Sequence, residues 1–151
     1  MTASNLFECS VKYEKTMENG MVKKVSEPYL VDALSFTEAE KRFIEEITPF
    51  MSGEFEVKTV KRANYSEIVP SDSSEDDRWY KIRLAYITLD EKSGLEKKTS
   101  TYMLVQAIDL RTAVKNIDLY MKDSMADYEI QAVAETAIMD VFFYSDGTEE
   151  V

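Results

Sequence analysis

Histidine is absent from this sequence. Its absence removes the commonest general base, the commonest zinc ligand and every Ser-His or Cys-His nucleophile pair. There is one cysteine, Cys9, so no disulfide can form within the chain, and a reducing compartment is the natural setting. Four glycines leave no phosphate-cradling loop, and neither a GxGxxG nor a GxxxxGK pattern occurs, so no cofactor is expected. Long apolar runs are missing too: none approaches the roughly 20 residues that span a bilayer. The opening "MTASNLFECS" has no basic n-region, no apolar h-region and no glycine after Met1. The expectation is a cytoplasmic protein that is not bound to a membrane.

What is present belongs to a globular chain, 44% hydrophobic and 31% charged over 151 residues. The net charge is −11, which disfavours broad coating of duplex DNA and adhesion to anionic membranes. The acidity is uneven: residues 1–70 hold 12 acids against 9 bases, and residues 71–151 hold 17 against 9. With 29 acidic residues, paired carboxylates carry no information about catalysis.

The chain resembles itself. "KKVSEPYLVDALSFTEAE" from Lys23 returns as "KKTSTYMLVQAIDLRTAV" from Lys97, an offset of 74. Upstream the offset is 73 and pairs Phe7, Cys9, Val11 and Tyr13 with Tyr80, Ile82, Leu84 and Tyr86. Alternation predicts a half-buried strand there, and "ENG" and "KSG" predict hairpin turns. A long second strand follows, with Pro28 marking a bulge or an edge position. The period then lengthens: Phe36, Ala39, Phe43 and Ile47, and equally Leu110, Ala113, Ile117 and Met121, form the inward stripe of a helix. Ser35 and Asp109 are the matching N-caps, and Pro49 ends the first helix. A third strand begins near Glu54 and a further extended piece closes each copy ("YSEIV", "IMDVFFY").

The fold expected is α+β: a tandem duplication of a β-β-α-β unit, forming antiparallel sheet with two helices packed on one face. One unit alone has little core, so two copies sharing a joint sheet are expected. Residues 1–70 are the first repeat, 71–77 ("SDSSEDD") a flexible acidic linker, 78–144 the second repeat and 145–151 an acidic tail.

Two surfaces stand out. Where the first helix has Glu40, Glu45 and Glu46, the second has Val114, Leu119 and Tyr120, apolar residues off its core stripe. Such an excess marks either deeper burial or a contact with another chain. Among the aromatic residues Phe7, Tyr13, Tyr29, Tyr80, Tyr86 and Tyr102, most belong to the inward face, but Trp79 falls on the other face beside Lys81 and Arg83. With Lys58, Lys61 and Arg62 in the first copy, these residues define a candidate surface for single-stranded nucleic acid. Lys23-Lys24 and Lys97-Lys98 are solubilising charges near the hairpin tips, Cys9 is an inert small hydrophobe, and Glu75, Asp76 and Asp77 lack the spacing of a calcium loop.

"LFECSVKYEKTMENGMVKKVSEPYLVDALSFTEAE", "DRWYKIRLAYITLDEKSG" and "ADYEIQAVAETAIMDVF" together resemble an uncharacterised family of small acidic proteins from gut Bacteroidales and their phages and mobile elements. The resemblance covers about Asn5 to Tyr144. It carries over no activity and no site residue, but implies a role in replication, packaging or host interaction. The leading expectation is a non-enzymatic adaptor that engages a protein partner or itself. The alternative is an accessory protein for single-stranded nucleic acid, and a ligand-binding or enzymatic cleft between the copies ranks last.

Overall fold

The structure, a computed structural model, describes residues 5–143. The acidic tail 145–151 lies outside the described residues. The chain is α+β, with eight strands and two α-helices among the described residues.

In the first half, β1 (Leu6–Thr16) and β2 (Val22–Asp32) form a full-length antiparallel hairpin, Leu6 opposite Asp32 and Thr16 opposite Val22. Gly20 closes its turn at φ +82°, a backbone state that costs glycine nothing. Helix α1 (Phe36–Ile47) follows, its first turn capped by the Ser35 hydroxyl, which accepts from the Glu38 N–H at 3.1 Å. Pro49 falls in a short 3₁₀ turn, Thr48–Phe50, which ends the helix. Strand β3 (Phe55–Ala63) then returns antiparallel beside β1, with Lys58 as an extra residue where the register shifts.

The second half repeats this order. β5 (Arg78–Leu89) pairs with β6 (Glu96–Ala107), and Gly94 turns the hairpin at φ +71°. Helix α2 (Leu110–Met121) is capped by the Asp109 carboxylate, which accepts from the Thr112 N–H at 2.8 Å. β7 (Asp127–Glu135) lies beside β5, with Gln131 as the extra residue.

The sequence suggested one joint antiparallel sheet; the structure has two four-stranded sheets, ordered β3-β1-β2-β8 and β4-β6-β5-β7. Each is mixed, because a short closing strand adds parallel to the second strand of the hairpin. These closing strands are exchanged. β4 (Glu67–Val69), from the first half, pairs with β6; β8 (Val141–Phe142), from the end of the second half, pairs with β2. Chain length dictates this. From Ala63 to Glu67 the chain reaches about 14 Å at most, while the free edge of β2 lies three strand spacings from β3, about 14 Å straight through the sheet. A path around the sheet is longer still, so the first half cannot close its own sheet.

The chain accordingly divides into two units, 64–136 and 5–63 with 137–143. In the unit of α1, Phe7, Cys9, Val11, Val31 and Ala33 pack against Ala39, Phe43 and Ile47. In the unit of α2, Tyr80, Ile82, Leu84, Met103 and Val105 pack against Ala113, Ile117 and Met121. Each core thus combines one period-two face with one helical stripe. The first residue of each expected stripe departs from it: Phe36 and Leu110 are exposed.

The stretch expected to be a flexible linker is an ordered polar loop. Asp76 is buried, and its Oδ2 accepts from the Ser71 hydroxyl and from the Asn116 amide of α2. The Gln106 side-chain oxygen accepts from the Ser71 N–H at 2.9 Å, and the Ser71 hydroxyl accepts from the Ser73 N–H. A carboxylate turned inward onto neutral donors is a loop anchor, not one of a set of cation ligands.

Candidate interaction surface

The three helix residues expected to form a partner surface do not share one face. At 100° per residue, Val114 and Tyr120 flank the buried stripe on opposite sides, and Leu119 points away from it. Val114 is half-buried, while Leu119 and Tyr120 are exposed. The Tyr120 hydroxyl donates to Glu67 Oε2 at 3.0 Å, which ties α2 to the closing strand of its sheet.

The basic and aromatic set also divides. Trp79 lies on the face of its sheet away from α2, as alternation predicted, but it is 2% exposed and offers no ring to a base. Its indole Nε1 is buried and has no hydrogen-bond partner among the described residues. Leu104 on the same face is buried too, and so are Leu6 and Leu30 on the corresponding face of the other sheet. Lys81 and Arg83 are exposed beside Trp79 on β5, and the aromatic residue that accompanies them is Tyr102. The Lys81 ammonium sits 4.3 Å from the Tyr102 ring centroid, a cation–π contact across neighbouring strands.

Lys58, Lys61 and Arg62 belong to β3 in the other unit and point in different directions. Lys58 is the bulge residue, and Lys61 lies on the face away from α1, 3.3 Å from Glu8. Arg62 turns to the helix side, its guanidinium 5.2 Å from the Phe7 centroid and 5.4 Å from that of Phe36. The structure therefore brings Lys81, Arg83 and Tyr102 together, and keeps Arg62 with an aromatic pair.

The second of these sites is the more informative. Phe36 packs edge-on against buried Phe7, centroids 4.9 Å apart, yet stays 47% exposed, and Leu34 beside it is 71% exposed. The equivalent positions of the second half are Ile108, 40% exposed, and Leu110, 51% exposed. Each strand-to-helix turn thus presents two large apolar side chains, one before and one after the capping residue. The capping geometry explains the placement. Ser35 and Asp109 hold extended backbone, so the flanking side chains project from the shoulder of the helix before its stripe turns inward. In the first half, the Arg62 guanidinium adds a cation over the aromatic pair, a composition common at the centres of protein interfaces. Sequence periodicity assigned Phe36 and Leu110 to the core and passed over Leu34 and Ile108. The available signal was that "ALSF" and "AIDL" keep large apolar residues on both sides of a cap.

Cys9 is buried between the helix and the sheet, and burial, with lesser help from Glu40 and Glu8, pushes its thiol up to about 12. Tyr13 is likewise raised to about 12, by burial first and then by its hydrogen bond to Glu27 Oε1 at 2.7 Å. Both groups stay protonated at neutral pH, and neither is poised as a nucleophile. Among the described residues no group of three acidic or thiol side chains is placed to hold a metal ion. No helix among the described residues is long and apolar enough to cross a membrane.

No curated protein matches the chain. A family model does, over residues 5–144, and the chain belongs to the family described as Domain of unknown function (DUF4494).

Proposed function

We propose that this chain is a non-enzymatic binding module that docks another protein on the apolar shoulders of its helices. One observation carries the reading: Leu34 and Phe36 in one half, and Ile108 and Leu110 in the other, are exposed at equivalent positions. Isolated surface leucines need no explanation, but the same pair left open twice, each time around a helix cap, is a feature of the unit. The net charge of −11 favours a partner whose rim is basic, and makes the encounter faster at low salt. The single buried thiol is consistent with work in a reducing cytoplasm, and a role in a phage or mobile element would fit a small adaptor of this kind.

Leu34→Ser and Ile108→Ser test the reading, since both side chains lie outside the buried cores. A partner captured by the intact chain is expected to lose at least tenfold in affinity with the double variant, measured by isothermal titration, while the circular dichroism spectrum is unchanged. Equal affinity for the variant sinks the proposal.

The second reading, binding of single-stranded nucleic acid, is supported by Lys81, Arg83 and Tyr102 on one face of β5 and β6. Arg83 makes no ion pair among the described residues. This reading predicts salt-sensitive binding of a labelled single strand that is lost on Arg83→Glu.

A further inference from the structure

Each sheet keeps one long open edge. β3 and β7 are nine residues each, both pair on one side only with the first strand of their hairpin, and no described strand covers the other side. Exposed edges invite pairing, and charge usually decides with what. Here the two edges have opposite signs: β3 carries Lys58, Lys61 and Arg62 against Glu56, while β7 carries Asp127, Glu129 and Glu135 with no base.

Register separates the alternatives. Residues 55, 57, 60 and 62 of β3 face its helix, as do 128, 130, 133 and 135 of β7. Laid antiparallel over all nine residues, β3 against β7 sets the four helix-facing residues of one strand opposite the four of the other. Val57 meets Val133, Val60 meets Ile130 and Arg62 meets Tyr128 on the helix side, and Lys61 meets Glu129 on the other. Full-length β3 against β3, or β7 against β7, sets helix-facing residues opposite outward ones, because the bulges at Lys58 and Gln131 displace the pattern by one. Lys61 already reaches Glu8 at 3.3 Å, and Glu129 reaches Lys98 at 2.9 Å. The unlike pairing therefore completes a row of alternating charge, Glu8, Lys61, Glu129, Lys98, running from one molecule into the next.

We infer that the β3 edge of one copy of this chain pairs antiparallel with the β7 edge of a second copy. The contact is heterologous, so it leaves one edge of each kind open and propagates head to tail. A single strand pair lies at the small end of protein interfaces, below about 1,200 Å², so the assembly forms at high concentration and reverses on dilution. It shares Arg62 with the first helix shoulder but uses neither Leu34 nor Ile108, so its test is separate from that of the shoulders.

Sedimentation equilibrium of the full chain over a wide concentration range tests this, with amide exchange as a second readout. The average mass is expected to climb past that of a dimer, while exchange slows in 55–63 and 127–135 and nowhere else. Lys61→Glu alone and Glu129→Lys alone are expected to abolish the rise, and the double variant to restore it. Both residues are solvent-facing, so loss of folding does not confuse the result. A monomer at every concentration overturns the inference, and so does a dimer that neither grows nor responds to Lys61→Glu.

Discussion

At the scale of single residues, the Cys9 thiol and the Tyr13 phenol are spent on structure. Cys9 is the clearest case. Its thiol faces Val60 across the sheet, is buried in the core of the α1 unit and is raised to about 12. Thiolate, not thiol, is the nucleophile, so at pH 8 the folded chain is expected to resist iodoacetamide and to react fully only in denaturant, as peptide mass spectrometry would show. Rapid labelling of the native chain would mean that the core opens locally. The same shift makes a linkage statement. A group whose folded value is raised stabilises the fold fully below its unfolded value and loses that contribution as pH climbs through the folded one. For Cys9 the window runs from about 9 to about 12, and for Tyr13 from about 10 to about 12. Stability is therefore expected to fall across this range, and less steeply in Cys9→Ala, in urea titrations at stepped pH. The sequence already marked Cys9 as a small hydrophobe, because it occupies the position that Ile82 holds in the second half. Trp79 misled for a related reason. Alternation gives the face a residue lies on, but not whether that face is covered.

At the scale of elements, the hairpins, helix caps and third strands were legible because each is written in local pattern. Period two ends at a glycine turn, a capping residue opens each helix, and apolar spacing lengthens beyond it. The closing strands were not legible in this way. Their partners include Leu30 and Val31 in one sheet and Leu104 and Val105 in the other, the same pair of residues, so pattern cannot say which sheet receives which strand. Only the short link after β3 excludes the local choice. β8 shows what such a strand contributes. Phe142 stacks on Tyr29 with centroids 5.4 Å apart and 9° between planes, the Leu30 N–H donates to the Asp140 carbonyl, and the Arg42 guanidinium donates to the Phe143 carbonyl. Phe142→Ala is expected to cost about 2 kcal/mol, less than the 3–5 kcal/mol of a fully buried phenylalanine because the ring is half-exposed. Amide exchange localises the effect: Leu30 should exchange faster in the variant, while Ser66, bonded to the Tyr102 carbonyl beside β4, should not. Unchanged protection at Leu30 would show that β8 is held by its backbone alone.

At the scale of the whole molecule, net charge competes with ion pairing. The chain carries −11, and the four described ion pairs each keep at least one partner open to solvent. Exposed pairs contribute about 0–1 kcal/mol each, whereas self-repulsion acts on every uncompensated carboxylate at once. Salt weakens both, and its sign on stability shows which is larger. Repulsion dominates here, so at pH 8 the melting temperature is expected to rise as NaCl goes from about 20 mM, where the Debye length is above 20 Å, to about 0.5 M, where it is below 5 Å. Near the pI of about 4.5 the net charge vanishes, and the same salt step should leave the melting temperature flat or lower it. A fall at pH 8 would mean that the ion pairs outweigh the repulsion. The same field acts between copies. At low salt the net charge holds molecules apart, and at moderate salt it is screened while the short-range contacts of an edge strand survive. Association through β3 and β7 is therefore expected to strengthen from about 20 mM to about 150 mM NaCl. A protein partner drawn by the acidic surface should weaken over the same step, which separates the two kinds of binding in one titration.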